Sequence, residues 1–95
     1  MNYTKGEWRV GEPFVKGQDY PIYSEDGYEL ARAFIYNGEQ KANAHLIAAA
    51  PDMYEALKQL MVDYRVICER KPRNTILQTR LSMAVKALAK AEGKG

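Results

Sequence analysis

At Asn37-Gly38 the hydrophobic pattern of this chain changes period, from two residues before the pair to about 3.6 after it. A period of two belongs to strands with one buried face and 3.6 to helices, so strands come first and helices follow. The first 36 residues concentrate Trp8, Phe14, Tyr20, Tyr23, Tyr28, Phe34 and Tyr36 among Gly11, Gly17, Gly27, Pro13 and Pro21, and aromatics between turn formers favour strands. Glu7-Trp8-Arg9-Val10 alternates until Gly11 and Pro13 interrupt it, a short first strand. Tyr20-Pro21-Ile22-Tyr23 and residues 28–36 flank Ser24-Glu25-Asp26-Gly27, whose Asp-Gly pair supplies the positive φ of a tight hairpin turn. In the second arm Tyr28, Leu30, Arg32, Phe34 and Tyr36 share one face. Glu29, Ala31, Ala33 and Ile35 share the other, a face small enough for a helix to lie close. Pro21 lacks a backbone donor, which places its strand at an edge.

Beyond Asn37-Gly38, residues 39–49 read as a short helix in which Ala42, Leu46 and Ala49 recur at helical spacing. Pro51 disfavours helical geometry at Ala50 and suits the first position of a new helix, and Asp52 complements the macrodipole there, so a break and a change of direction are expected at Pro51, with a kinked continuous helix as the lesser alternative. Tyr54, Leu57, Met61, Tyr64 and Cys68 are then spaced 3-4-3-4. After Lys71-Pro72-Arg73-Asn74, residues Leu77, Leu81, Ala84, Leu88 and Ala91 are spaced 4-3-4-3. Two matching apolar seams joined by so short a connection predict an antiparallel pair, with Asn74 or Arg73 at the start of the second helix, Gly93 past its end and fraying over residues 87–95. Leu60, Ile67, Ile76 and Val85 widen the seams into faces that can cover the sheet or meet a second copy. The expected fold is α+β in a single domain, residues 1–95. A small antiparallel sheet of two or three strands (residues 1–36) precedes a short helix and an antiparallel two-helix hairpin (residues 37–95).

Ninety-five residues lie near the lower end of sizes that bury a self-sufficient core, which makes self-association a natural expectation. A single cysteine, Cys68, excludes an internal disulfide, and with His45 as the one histidine no Cys/His set is spaced for zinc. The first residues lack the apolar core of a signal peptide and the apolar run 44–51 is too short to span a bilayer, so a cytoplasmic protein without membrane contact is expected. The net charge of +2 is unevenly distributed. Residues 1–36 are acidic on balance, whereas Arg65, Arg70, Lys71, Arg73, Arg80, Lys86 and Lys90 face only Glu69 between residues 65 and 90.

Three stretches carry a family resemblance. Gly27-Tyr28-Glu29-Leu30-Ala31-Arg32-Ala33, then Ala42-Asn43-Ala44-His45-Leu46-Ile47-Ala48-Ala49-Ala50-Pro51, then Met83-Ala84-Val85-Lys86-Ala87-Leu88-Ala89-Lys90-Ala91-Glu92-Gly93 together resemble a widespread group of small bacteriophage and prophage proteins. The resemblance covers roughly residues 27–93 and implies a phage origin and the cytoplasm of an infected bacterium. It supplies no catalytic residue to carry over, and residues 1–26 lie outside it.

The residues themselves offer little to catalysis. His45 sits in a helix with no serine or cysteine at a telling distance, so it reads as a capping or half-buried side chain. Cys68 falls on the inter-helix seam as a small hydrophobe, and Asp52 and Glu55 read as first-turn carboxylates of a helix. Gly6, Gly11 and Gly17 precede no helix and form no phosphate loop. No enzyme, no cofactor and no metal site is expected.

Binding has more to work with. Arg65, Arg70, Lys71, Arg73 and Arg80 gather near a helix-hairpin tip, where they can meet nucleic acid, a nucleotide signal or an acidic protein face. A pI near 8.7 without a recognisable reading motif leaves only unspecific electrostatics for nucleic acid. Trp8, Tyr20, Tyr23, Tyr28 and Tyr36 exceed what so short a chain can bury and are candidate interface anchors. By analogy with small phage proteins, the expected role is a stoichiometric inhibitor of a bacterial defence or host system, such as a CRISPR effector or a defence signal. The alternatives are a nucleic-acid-binding accessory protein using the basic tip, and an oligomeric assembly factor.

Overall fold

The computed structural model describes residues 2–94. Strands β1 (Arg9–Val10), β2 (Tyr20–Tyr23) and β3 (Glu29–Ala33) are followed by helices α1 (Gln40–Arg70) and α2 (Thr75–Ala91). The strands form one antiparallel sheet in the order β1-β2-β3, so the α+β class with an antiparallel sheet before packed helices is the one the periodicity implies. Two compact units divide the chain, residues 2–51 and residues 52 onward.

In the first unit, Ser24-Glu25-Asp26-Gly27 makes the hairpin turn. The Gly27 amide donates to the Ser24 carbonyl at 3.0 Å, the Ser24 amide donates to the Tyr28 carbonyl at 2.8 Å, and Gly27 takes φ +89°. Within the turn positive φ falls on Gly27 alone, which suits a type I turn closed by a left-handed glycine; a separate register shift between Ile22 and Tyr23 leaves Leu30 as an extra residue in β3. Ser24 is buried, and its Oγ accepts from the Tyr28 amide at 3.1 Å.

Pro21 lies in the central strand rather than at an edge. Gly11 donates its amide to the Pro21 carbonyl at 2.9 Å, in line with the Val10↔Ile22 register, while the return bond from Pro21 is impossible. The two backbone groups of a strand residue point to the same side, so the missing donor weakens only the β1 side. There β1 stops at Val10, and the pairing of Pro21 with Arg32 across β3 is kept. Gly11 is also a point of close approach: a Cβ there would run into the Tyr23 ring, with Cδ2 at 2.9 Å and Cε2 nearer still. Gly11→Ala is expected to cost about 1–3 kcal/mol through displacement of that ring, read as a lowered urea midpoint.

The core of this unit is Ile22, Ala33 and Ala44, with Trp8, Val10, Tyr20, Ala31, Ile47 and Ala48 packed against it. The inward helix face is therefore Gln40, Ala44, Ile47, Ala48 and Pro51, and the stripe of Ala42, Leu46 and Ala49 read from the sequence is displaced: Ala42 and Leu46 are exposed. Ala44 allows close approach to a strand whose inward residues are alanines, so smallness on both sides selects the face. Before the helix, Asn37 (φ +52°) and Gly38 (φ +73°) turn the chain, and Gln40 Nε2 donates to the Gly17 carbonyl at 3.2 Å.

The break expected at Pro51 does not occur; α1 is continuous over Gln40–Arg70 with Pro51 inside it and buried. The proline deprives the Ile47 carbonyl of its helical donor, a cost of about 3 kcal/mol in a helix interior. Pro51 itself is buried, as are Ala44 before it and Tyr54 after it on the same helix. Asp52 and Glu55 consequently sit mid-helix, and helix-terminus electrostatics does not explain them.

In the second unit, Tyr54, Met61 and Cys68 are buried on the anticipated seam, and Leu77, Leu81, Ala84 and Leu88 are half-buried on α2. Cys68 Sγ donates to the Leu77 carbonyl at 3.6 Å and Gln78 Nε2 donates to the Cys68 carbonyl at 3.1 Å, tying the two helices near their connection. Asn74 is the N-cap of α2, its Oδ1 accepting from the Leu77 amide at 3.1 Å. Asn74→Ala is expected to cost about 1 kcal/mol in thermal or urea unfolding. Past its far end the Lys94 amide donates to the Ala89 carbonyl at 2.7 Å across Gly93 at φ +76°, a Schellman closure; of the residues 87–95 expected to fray, the last lies outside the described residues.

Tyr54 Oη donates to Glu92 Oε2 at 2.5 Å and, with Lys94 Nζ at 3.9 Å from Oε1, holds the Glu92 carboxyl below its ordinary range. A carboxyl depressed in the folded state stabilises fully above the ordinary carboxyl range and loses that contribution as pH falls through its folded value. Tyr54→Phe is therefore expected to flatten the acid limb of a stability–pH profile measured by urea midpoints.

Candidate protein-binding surface

Strand β3 turns its small side chains inward and its large ones outward. Ala33 is 5% exposed and Ala31 packs against the core, so the alternation carries Arg32 to the other face; the register shift between Ile22 and Tyr23 leaves Leu30 as the extra residue and interrupts the alternation before Tyr28. Tyr28 is 75% exposed, and just past the strand Phe34 and Tyr36 are 69% and 67% exposed, with Ile35 between them also in solvent. The Ile35 amide donates to Asp19 Oδ1 at 2.8 Å, which fixes the backbone from which these side chains project. Arg32 lies among them. Its Nη2 and Nε donate to Glu29 Oε1 at 2.6 and 3.1 Å, and that hydrogen bond, reinforced by the carboxylate's charge, raises the guanidinium's pKa.

The five aromatics singled out from the sequence separate into two groups. Tyr28 and Tyr36 stand in solvent, whereas Trp8 and Tyr20 pack against the core and the Tyr23 ring covers Gly11. Trp8 Nε1 also donates to the Thr4 carbonyl at 2.9 Å. Leu30, Phe34 and Ile35 join the exposed group, as do Phe14 at 93% and Val15 in the loop before β2. For Leu30 and Phe34 the signal in the sequence was their place on the bulky face of β3; Ile35, read on the small face, and Phe14 and Val15 in the loop had none. A choice by residue type, tryptophan and tyrosine alone, passed over that signal.

The basic residues form a separate feature of the second unit. Arg65, Arg70, Lys71, Arg73 and Arg80 are all exposed, with Lys71 and Arg73 in the connection and Arg70 ending α1. None of them belongs to an ion pair among the described residues. His45 is exposed in mid-helix and is neither a cap nor half-buried, while Cys68 is buried at 3% exposure. Among the described residues no group of three or more His, Cys, Asp or Glu is placed to hold a metal, and no helix is long and apolar enough to cross a membrane.

No curated protein and no solved structure matches this chain. A family model does, over residues 1–95, a match that extends through the first 26 residues where motif resemblance gave nothing. The chain belongs to the family of Salmonella phage P22 protein Y8K6, a family of phage proteins.

Proposed function

We propose that this phage protein acts by stoichiometric binding, and that its target is a protein of the bacterial host's defence or regulatory machinery held against the outer surface of β3. The observation that carries the reading is the inversion of that strand. A short chain with few buried side chains leaves Tyr28, Leu30, Phe34 and Tyr36 in water while Ala31 and Ala33 of the same strand face the core. Large aromatics at low conformational-entropy cost, beside an arginine, are the anchors that protein interfaces favour. Membership of a phage family supports a host target, and a CRISPR effector complex is one candidate of that kind. The test is affinity capture from host cells with the wild-type chain and with Tyr28→Ser/Phe34→Ser/Tyr36→Ser as baits. A partner recovered in fixed ratio by the first and lost by the second supports the reading. No partner, or equal recovery by both, counts against it.

A second reading has its own observation, the exposed cations at the hairpin tip. Arg70, Lys71 and Arg73 are free to neutralise phosphates, which would give nucleic-acid affinity that falls steeply with salt. If Arg70→Ala/Lys71→Ala/Arg73→Ala leaves DNA and RNA retention unchanged at low salt, this reading loses its support.

A further inference from the structure

The helical unit is unfinished on one side. Helix α2 contains no buried residue, and α1 carries two apolar seams where its partner covers one. Tyr54, Met61 and Cys68 are buried. The neighbouring series Met53, Leu60 and Ile67, spaced by seven residues, is 54%, 65% and 45% exposed, with half-buried Leu57 and Tyr64 completing a 4-3-4-3 pattern. A heptad pattern of that kind is the seam of helix–helix packing, and here Met53, Leu60 and Ile67 of it are left exposed. Between the helices it borders a groove of about 390 Å³ lined by Leu57, Leu60, Tyr64 and Ile67 of α1 and by Arg80 and Ala84 of α2.

We propose that this groove is the interface of a two-fold dimer in which a second copy of the same helical pair closes a four-helix bundle. Three observations choose a second copy over another occupant. The first is charge. The groove carries one acidic side chain, Asp63, and one basic, Arg80, and neither has an ion-pair partner among the described residues. A two-fold axis sets residue i against j and j against i, so placing Asp63 of one copy beside Arg80 of the other makes the contact twice from a surface complementary to itself. The second is pattern: Met53, Leu60 and Ile67 repeat every seven residues along the exposed side of α1, the spacing that meshes with a facing helix of the same kind. The third is size. A unit of only two helices falls in the range where self-association commonly completes the core. A face about 25 Å long and two helices wide offers of the order of 500 Å² in plan, before side-chain relief. A standard interface needs about 800 Å² of accessible surface per partner. This surface lies in residues 52 onward and is independent of the β3 surface proposed for the target.

Sedimentation velocity of the full chain from low micromolar to submillimolar concentration tests the proposal, with Asp63→Arg and Arg80→Asp as variants at exposed positions and helicity checked by circular dichroism. The wild type is expected to dimerise, and each variant alone to dissociate at least about tenfold more readily because like charges then meet twice. An equimolar mixture of the two variants is expected to dimerise again, since both contacts become attractive, a recovery that no effect within one chain can produce. A wild type that stays monomeric throughout, variants that dimerise as well as the wild type, or a mixture that remains monomeric overturns the proposal.

Discussion

Ile22→Ala is expected to lose about 2–5 kcal/mol of stability, the largest effect of any single truncation in this chain. Ile22 is fully buried, and it is the one large aliphatic side chain of the Ile22, Ala33 and Ala44 core. The two alanines cannot grow to refill the space, and a helix held close by Ala44 cannot settle further. A loss of that size is a large fraction of what small domains possess. Trp8, the chain's one tryptophan, packs against this core, so its fluorescence during urea unfolding reports the change. The matching control lies on the other face. Phe34 is larger than Ile22 but 69% exposed, and Phe34→Ala is expected to move stability by no more than about 0.5 kcal/mol. A large cost at Phe34 with little at Ile22 would mean that the sheet faces the other way.

Tyr28→Ser/Phe34→Ser/Tyr36→Ser is expected to weaken target binding by at least about 100-fold while leaving the urea midpoint within the range of ordinary surface substitutions. All three positions flank β3 rather than lie within it, so serine removes no ladder hydrogen bond. The backbone bonds of Tyr28 to Ser24 do not involve its side chain. An unchanged affinity would move the binding surface elsewhere, first to Phe14 and Val15 in the preceding loop. Competition titrations with the captured partner measure the change, and circular dichroism shows whether the variant remains folded.

Features set by local chemistry were legible in the sequence. Asp26-Gly27 marked the hairpin, Asn37-Gly38 the passage from sheet to helix, Asn74 the start of α2 and Gly93 its end, because each meets a backbone need within a few residues of itself. The seam of Tyr54, Met61 and Cys68 was legible because a helix of that length repeats its pattern. What failed depended on contacts distant in sequence. Pro21 argues for an edge until its missing donor is seen to face a strand that ends after two residues. Pro51 argues for a break, yet α1 runs through it with the proline buried. Along residues 39–51 alanines occupy every face, so the pattern of size alone could not choose between Ala42 with Leu46 and Ala44 with Ile47; the alanine face of β3 made the choice. The same face was the readable part of the candidate site. That Phe34 and Tyr36 stand in solvent depends on packing distant in sequence, which the pattern of size does not carry.

The central claim, that a phage protein with an inverted strand uses its outward aromatic face to disable a host protein, is tested most directly by plating efficiency on a bacterial host whose defence restricts the phage. Three phages are compared, carrying the wild-type gene, Tyr28→Ser/Phe34→Ser/Tyr36→Ser or a deletion, with the variant protein shown to accumulate as the wild type does. The triple variant is expected to plate as poorly as the deletion. Plating of the triple variant at the wild-type level, with the deletion impaired, would contradict it.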